Sequence, residues 1–340
     1  MTARLVTVFG GNGFVGRHVV QRLAKTGARV RVAVRDPESA LFLRPLGTPG
    51  QIVAVKANIT VKDEVARAVD GADAVINCAG VLTPSGWNDF LGVHKSGSAI
   101  LAKAVKAADI KTLVHVSALN ADSKSDSAYL KSKGEGETAL LSAFPNATIL
   151  RPSVIVGAED NFLNLYAKIA RWSPVIPMIN PIFSSIKMVR SELFGFLLPT
   201  LKPRPLEGSS FQPVVVADVA EAIVKALDDS DAKGQIYDVV GPTAYTFKKL
   251  MFMMLEASGR EACVVSYPAS WAYFWAFFLE FVPGKPFTCD MVTVLNNDNL
   301  PSGDNKGLAD LGVQAHSLES VLPSFLNTYR PPSNRRLRPV

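Results

Sequence analysis

The chain has 340 residues, of which 48% are hydrophobic and 19% charged, with a formal net charge of +6. That is apolar material for more than one buried core, and the excess positive charge comes without zinc-finger spacing, a basic helix or an aromatic RNA-binding motif, which argues against a nucleic-acid partner. The cysteines (Cys78, Cys263, Cys289) and histidines (His18, His94, His115, His316) lie too far apart for a disulfide framework or a metal-ligand set.

An apolar run, Leu5 to Phe9, leads into Gly10-Gly11-Asn12-Gly13, and Phe14-Val15-Gly16-Arg17 opens a helical pattern reaching about Lys25. Strand, glycine turn and helix in that order predict a dinucleotide cradle. In this reading Gly10 permits the turn, Gly13 lets the backbone approach a pyrophosphate, and Gly16 lets helix and strand pack closely. The helix N-terminus then faces the phosphates. The spacing is G-x-x-G-x-x-G. With a strand expected almost from Met1, no leader peptide is expected.

Arg29 to Val34 alternates as a second strand and ends in Arg35, followed by Asp36. A carboxylate at this point suits the ribose hydroxyls of NAD, an arginine the extra phosphate of NADP. Arg35, helped by Arg17, points to NADP(H), with NAD(H) kept open by Asp36. Gln51 to Lys56 reads as a third strand, followed by Asn58 and Ile59, where Asn58 is either an adenine contact or a turn former. A helix is expected over Val61 to Val69, a strand over Ala74 to Asn77, then Cys78-Ala79-Gly80, small residues against which a cofactor can lie. Asn88 to Ala108 reads as helix and Thr112 to Val116 as strand five, ending at Ser117.

Tyr129 and Lys133 stand four apart on a helix expected to run to about Ala143, so they share a face. A nearby ammonium lowers a phenol pKa and fits Tyr129 for proton transfer. A sixth strand, Thr148 to Leu150, runs into Arg151-Pro152-Ser153-Val154. The candidate catalytic residues are thus Ser117, Tyr129 and Lys133. The candidate cofactor contacts are Gly10, Gly11, Asn12, Gly13, Phe14, Val15, Gly16, Arg17, Arg35, Asn58, Ile59, Cys78, Ala79, Gly80, Ser117, Tyr129, Lys133, Pro152 and Val154. No metal ligand is proposed. The fold class is α/β, a Rossmann-type doubly wound parallel sheet over 1–160. A smaller C-terminal α/β domain is expected over 161–330, with an apolar insertion at 172–211, and a basic tail over 331–340.

Within the insertion, Ile186 to Leu198 reads as an amphipathic helix, either a lid or a docking surface. Helices are expected over Asp218 to Leu227 and Thr246 to Ala257, with a strand over Gly234 to Val240. Trp271 to Leu279 is apolar almost all round, too short to span a bilayer, and is either core or an interfacial helix. The basic cluster Arg330, Arg335, Arg336, Arg338 is a solvated tail or a contact to anionic lipid or an acidic partner.

GGNGFVG, Asn77-Cys78-Ala79-Gly80, Ser117, Tyr129-x-x-x-Lys133 and Arg151-Pro152 together resemble the extended and atypical short-chain dehydrogenase/reductase superfamily. That resemblance implies Tyr129 as acid/base, Lys133 holding the nicotinamide ribose and Ser117 orienting a substrate carbonyl. Gly157 to Asn164, Phe211-Gln212-Pro213-Val214 with Asp218-Val219-Ala220, and Asp298-Asn299 through Ser302-Gly303 resemble one branch of it, the dehydrogenase-like accessory subunits of respiratory complex I. This implies an NADPH-holding subunit with little or no turnover. Its partners would be hydrophilic-arm subunits of complex I and the membrane surface near the quinone region. Its place would be the cytoplasmic face of a bacterial inner membrane, or the matrix face of the mitochondrial one. The alternative is a free-standing NADP-dependent reductase or epimerase acting on a carbonyl or sugar-type substrate.

Overall fold

The computed structural model describes residues 3–82, 89–180, 183–190, 197–203, 207–282, 285 and 287–331. Strands β1 (Leu5–Phe9), β2 (Arg29–Val34), β3 (Ile52–Lys56), β4 (Ala74–Asn77), β5 (Leu113–Val116), β6 (Thr148–Pro152) and β7 (Ile236–Val239) form one parallel sheet in the order β7-β6-β5-β4-β1-β2-β3. Crossover helices α1 (Phe14–Lys25), α2 (Lys62–Val69), α3 (Ser98–Ala107), α4 (Ala128–Ala143) and α5 (Val216–Asp228) cover it. The central strands are apolar on both faces because both are covered. Val6, Val8 and Ile76 pack with α1 and α5, while Phe9, Val75 and Leu113 pack with α2, α3 and α4. The order reverses between β1 and β4, and the crevice beyond their carboxyl ends is where such sheets bind ligands.

Two compact units divide the chain, but not as contiguous blocks. The first comprises residues 1–160, 212–243 and 299–321, and the second 161–211, 244–298 and 322–340. The division into 1–160 and 161–330 is therefore corrected, because β7 completes the main sheet beside β6, Ile236 pairing with Ile149, and α5 supplies Val219, Ile223 and Leu227 to its core. Apolar faces on these segments have their complements on the sheet.

In the second unit, Phe162, Tyr166, Phe211 and Phe247 form an aromatic cluster between the helices Leu163–Trp172 and Phe247–Ser258, ring centroids 5.5–6.1 Å apart. Strands Val175–Asn180 and Cys263–Pro268 pair in parallel. The helix expected over Ile186 to Leu198 is not formed in its described parts, 186–190 and 197–198, and residues 191–196 lie outside the described residues. Strands Phe183–Arg190 and Leu197–Pro203 pair antiparallel there instead, and Pro199 and Pro203 disfavour helix across the second of them. The helix start expected at Asn88 and the tail residues Arg335, Arg336 and Arg338 lie outside the described residues.

Candidate nucleotide and active site

The glycine turn is built by backbone constraints that leave no room for side chains. Gly10 has φ of +70°, and a Cβ there would lie 2.9 Å from both Ala79 N and Ala79 Cα at the end of β4. A Cβ on Gly16 would overlap Gly10 O and lie 2.6 Å from Gly11 Cα. The turn is closed by Gly10 N–H donating to Ala33 O and Gly13 N–H donating to Gly10 O, both at 3.0 Å. Helix α1 starts from Gly13 with no acidic residue in its first turn, so its positive end is not neutralised from within the helix. Gly13 is exposed. A backbone cradle of this kind, open at Gly13 and ending on helix amides, fits a diphosphate.

Around its rim, Arg17 donates from Nη2 to Asn12 O and from Nε to Gly13 O, both at 3.3 Å, lies 3.4 Å from Glu159 and sits 5.0 Å over the Phe42 ring. Asn12 Nδ2 donates to Ser39 Oγ at 2.8 Å. Phe14 packs edge-on to His18, and Val15 packs on the core. Arg35 is exposed at the end of β2, with no salt bridge among the described residues. Asp36 instead turns back, its Oδ1 accepting Glu38 N–H at 3.1 Å. One oxygen of the carboxylate that keeps NAD(H) open is thus engaged in its own turn. Asn58 does the same: Oδ1 accepts from Thr60 N at 3.2 Å and Thr60 Oγ1 at 3.0 Å. The turn-former reading describes that oxygen, and Ile59 is buried among the α2 and α3 side chains.

On the other side of the crevice, Cys78, Ala79 and Gly80 follow β4. Burial pushes the Cys78 thiol up to about 12, against the lowering effect of Lys133, so Cys78 is a protonated wall residue and a poor nucleophile. Lys133 is buried, donates to Val116 O at 3.2 Å, and brings its Nζ 3.3 Å from where a Cβ on Gly80 would stand. Burial lowers its pKa to about 8, partly offset by the carboxylate of Glu137. Ser117 is buried after β5, and among the described residues its Oγ has no hydrogen-bond partner. An unsatisfied buried hydroxyl costs about 1–3 kcal/mol, a cost a bound carbonyl or ribose would relieve. Ser127 caps α4 by accepting Leu130 N–H at 3.2 Å, placing Tyr129 in its first turn. Pro152 and Val154 lie at the carboxyl end of β6, their carbonyls accepting Leu119 N–H at 2.8 Å and Val214 N–H at 2.9 Å.

Sequence reasoning missed His94. It lies in a π-helical turn, Leu91–Gly97, before α3. Val81 N–H donates to its Nε2 at 3.1 Å, so the neutral ring carries its proton on Nδ1, which donates to Ser132 Oγ at 2.8 Å; Ser132 in turn donates to Tyr129 O at 2.7 Å. The ring stacks on Phe90 and meets Tyr129 edge-on at 5.7 Å. His94 therefore ties the loop after β4 to the helix bearing Tyr129 and Lys133. No spacing signal marks it, since its partners are 13 and 38 residues away.

His94 and His115 are both held neutral. Burial, then the Lys133 ammonium, then His115, lowers His94 to about 2, and burial followed by Lys133 lowers His115 to about 3. Between an unfolded value near 6.5 and these native values the unfolded chain binds more protons. Stability is therefore expected to fall as pH drops below about 6.5, by up to about 1.4 kcal/mol per pH unit for each histidine. Denaturant titrations at pH 7.5, 6.0 and 4.5 check this, and a midpoint flat across that range would contradict it.

Residues 10–163 match the family model described as NAD(P)H-binding. Over 330 residues the chain is 34% identical to the mitochondrial NADH dehydrogenase (ubiquinone) 1 alpha subcomplex subunit 9 of Mus musculus, covering 96% of this chain and 80% of that protein. The chain belongs to the alpha subcomplex subunit 9 family. It is also 34% identical over 189 residues to a ceramide reductase of Caulobacter vibrioides, covering 55% of this chain and 57% of that protein. Among solved structures, an NADPH-dependent quinone oxidoreductase of Escherichia coli, complexed with NADPH, superposes with TM-score 0.69 at 17% identity, covering 95% of this chain and 100% of that one. This family's Rossmann-like, NAD(P)-binding fold is thus shared with short-chain reductases.

Proposed function

We propose that the chain is an NADP(H)-holding accessory subunit of respiratory complex I, with the dinucleotide in the Gly10–Gly16 cradle. The observation that carries the cofactor is the cradle itself, a turn packed so closely that a Cβ at Gly10 or Gly16 would collide with backbone and exposed at Gly13, where α1 begins. The complex I assignment is supported by identity to subunit 9 across nearly the whole chain. In this reading the first turn of α1 receives the diphosphate, Ala79 and Gly80 form the wall, and Lys133 and Tyr129 hold the nicotinamide ribose. Arg35 and Arg17 meet the 2′-phosphate. The nicotinamide supplies hydride chemistry when bound. The chain's own residues orient it, exclude water with Cys78 and Ile59, and keep a proton at Ser117 Oγ. The subunit's place is peripheral, at a membrane surface near the quinone region; among the described residues no helix is long and apolar enough to cross a membrane. Co-migration of the tagged chain with NADH:quinone oxidoreductase activity on native gels tests the assignment, and a chain that never co-migrates with it would exclude the reading.

The 2′-phosphate contact has its own test. Arg35→Ala is expected to weaken NADPH binding ten- to a hundredfold more than NADH binding, about 1.5–3 kcal/mol for one charged hydrogen bond. Equal weakening of both nucleotides would assign the selectivity elsewhere. Lys133 gives a pH signature. Its native ammonium is lost as pH rises through about 8, so NADPH affinity is expected to fall above that pH, and in Lys133→Met the fall should be absent. Calorimetric titrations at pH 7, 8 and 9 distinguish the two profiles.

A second reading, a free-standing carbonyl reductase, is favoured by Ser117, whose buried Oγ has no hydrogen-bond partner among the described residues and suits a substrate carbonyl. There Ser117 would orient the carbonyl and Tyr129 would give a proton to its oxygen, the chemistry that a bound nicotinamide would supply being hydride transfer. NADPH oxidation in the presence of a lipid or sugar carbonyl, abolished in Tyr129→Phe, would decide for the enzyme.

A further inference from the structure

In the second unit, helix α6 (Ala269–Leu279) is seated by one narrow face. Ala269, Ala272, Tyr273 and Ala276 pack toward Ile179, Val292, Phe287 and Leu295, and Ala276 is the helix's one fully buried residue. Tyr273 OH meets Thr293 Oγ1 at 3.0 Å. The remaining perimeter is aromatic and open: Trp271 is 57% exposed, Phe274 54%, Trp275 57%, Phe277 54% and Phe278 52%, with Phe281 just beyond at 75%. The rings of Phe274, Trp275, Phe277, Phe278 and Phe281 contact one another edge-to-face at 5.1–5.7 Å. Such a patch exposed by a soluble chain marks a binding surface.

Two features identify its occupant. From residue 262 to residue 279 there is no charged side chain, and the acid that follows, Glu280, folds back to accept Cys289 N–H at 2.8 Å. The helix itself thus offers indole N–H groups and aromatic carbon with no charge of its own, and Trp is the residue of the bilayer interface. Charge is also partitioned. The second unit holds 14 Lys and Arg against 7 Asp and Glu, a net +7, while the first unit is −1. An aromatic helix on the strongly basic unit matches a surface that is apolar below and negative above.

We infer that α6 lies in the interface of an anionic bilayer, inserting Trp271, Phe274, Trp275, Phe277, Phe278 and Phe281, and that this attachment needs no other protein. It goes beyond the complex I reading and stands without it.

The test is sedimentation of the purified full chain with vesicles of phosphatidylcholine alone or with phosphatidylglycerol added. Binding is expected to the mixed vesicles, at least tenfold stronger than to phosphatidylcholine alone, weakened by salt and accompanied by a blue shift of tryptophan emission. Phe274→Glu with Phe277→Glu, and separately Trp271→Ser, should each cut the bound fraction at least tenfold with NADPH affinity unchanged. Unchanged NADPH affinity certifies the fold of the unit carrying the cradle, and the wild-type circular dichroism spectrum certifies the rest. Wild-type protein that stays in the supernatant, as expected if a protein covers the helix, overturns the inference. So do folded variants that sediment like wild type. No complex I is present in the assay, so failure here leaves the complex I reading standing, and failure of co-migration leaves this inference standing.

Discussion

Gly16→Ala is expected to abolish measurable NADPH binding and to destabilise the first unit. The added Cβ would overlap Gly10 O and sit 2.6 Å from Gly11 Cα. Both are backbone atoms of the turn that closes the cradle, so no side-chain rotation relieves the clash. Either α1 moves away from β1 or the turn opens, and both displace the amides from the diphosphate. Overpacking of this kind costs about 1–3 kcal/mol in stability. The affinity loss should be larger, on the order of a hundredfold or more, because the donors act only when mutually oriented. Gly27→Ala is the control. That glycine lies in the turn after α1 with nothing near its Cβ position, though φ is +83°, so the cost there is backbone strain of about 1 kcal/mol with affinity retained. Equal effects of the two substitutions on affinity would show that the cradle geometry is not what holds the nucleotide.

The second large effect is expected at Glu137. Its carboxylate accepts from Arg151 Nε at 2.9 Å and Nη2 at 2.5 Å, a fork-to-fork pair with the Glu137 side chain 6% exposed. The hydrogen bond to Glu137 raises the Arg151 pKa further above its ordinary value, so the guanidinium stays charged at every accessible pH. Removing Glu137 strands that charge in a low-dielectric site, and Glu137→Ala should cost about 3–5 kcal/mol. Denaturant unfolding followed by circular dichroism measures the loss. Glu137→Gln, which keeps the shape and one acceptor, should lose less, and a double Glu137→Ala, Arg151→Met variant should recover part of the deficit because the buried charge is gone. An alanine variant within about 0.5 kcal/mol of wild type would mean the pair is solvent-screened. Lys133, four residues upstream on α4, should titrate at lower pH in the alanine variant, since Glu137 is the largest influence raising its pKa.

The parts of the fold that follow a local rule were legible in the sequence. The strands from Leu5 to Val116 read correctly to within one residue, because parallel strands buried on both faces are short apolar runs bounded by turn residues. The cradle was legible because its glycines are demanded by φ and by close approach, properties only glycine supplies. The pairing of Phe183–Arg190 with Leu197–Pro203 was not, since apolar spacing there satisfies helix and strand templates alike, and pairing between two segments decides it. Nor was the interleaving of the two units, for nothing local distinguishes Ile236–Val239 from a strand of a separate small sheet; only its pairing with β6 does. At α6 the pattern left core and interface open, and the structure decides against core, with a seam of alanines supporting an exposed aromatic face. Within the site, Asp36 and Asn58 carry the right chemistry at the right strand ends, yet their oxygens close their own turns, as short polar side chains after strands commonly do. His94 shows the converse, a residue with no sequence signature that joins two walls of the crevice through three hydrogen bonds in series.

Releasing and identifying the nucleotide that travels with the protein tests the account most directly. Purified chain, gently desalted and then denatured, is predicted to yield close to one equivalent of NADP(H) per polypeptide, and stripped protein to rebind NADPH in preference to NADH by calorimetry. A chain that yields no dinucleotide, and in its folded, stripped form shows no heat of binding with either nucleotide at millimolar concentration, would contradict it.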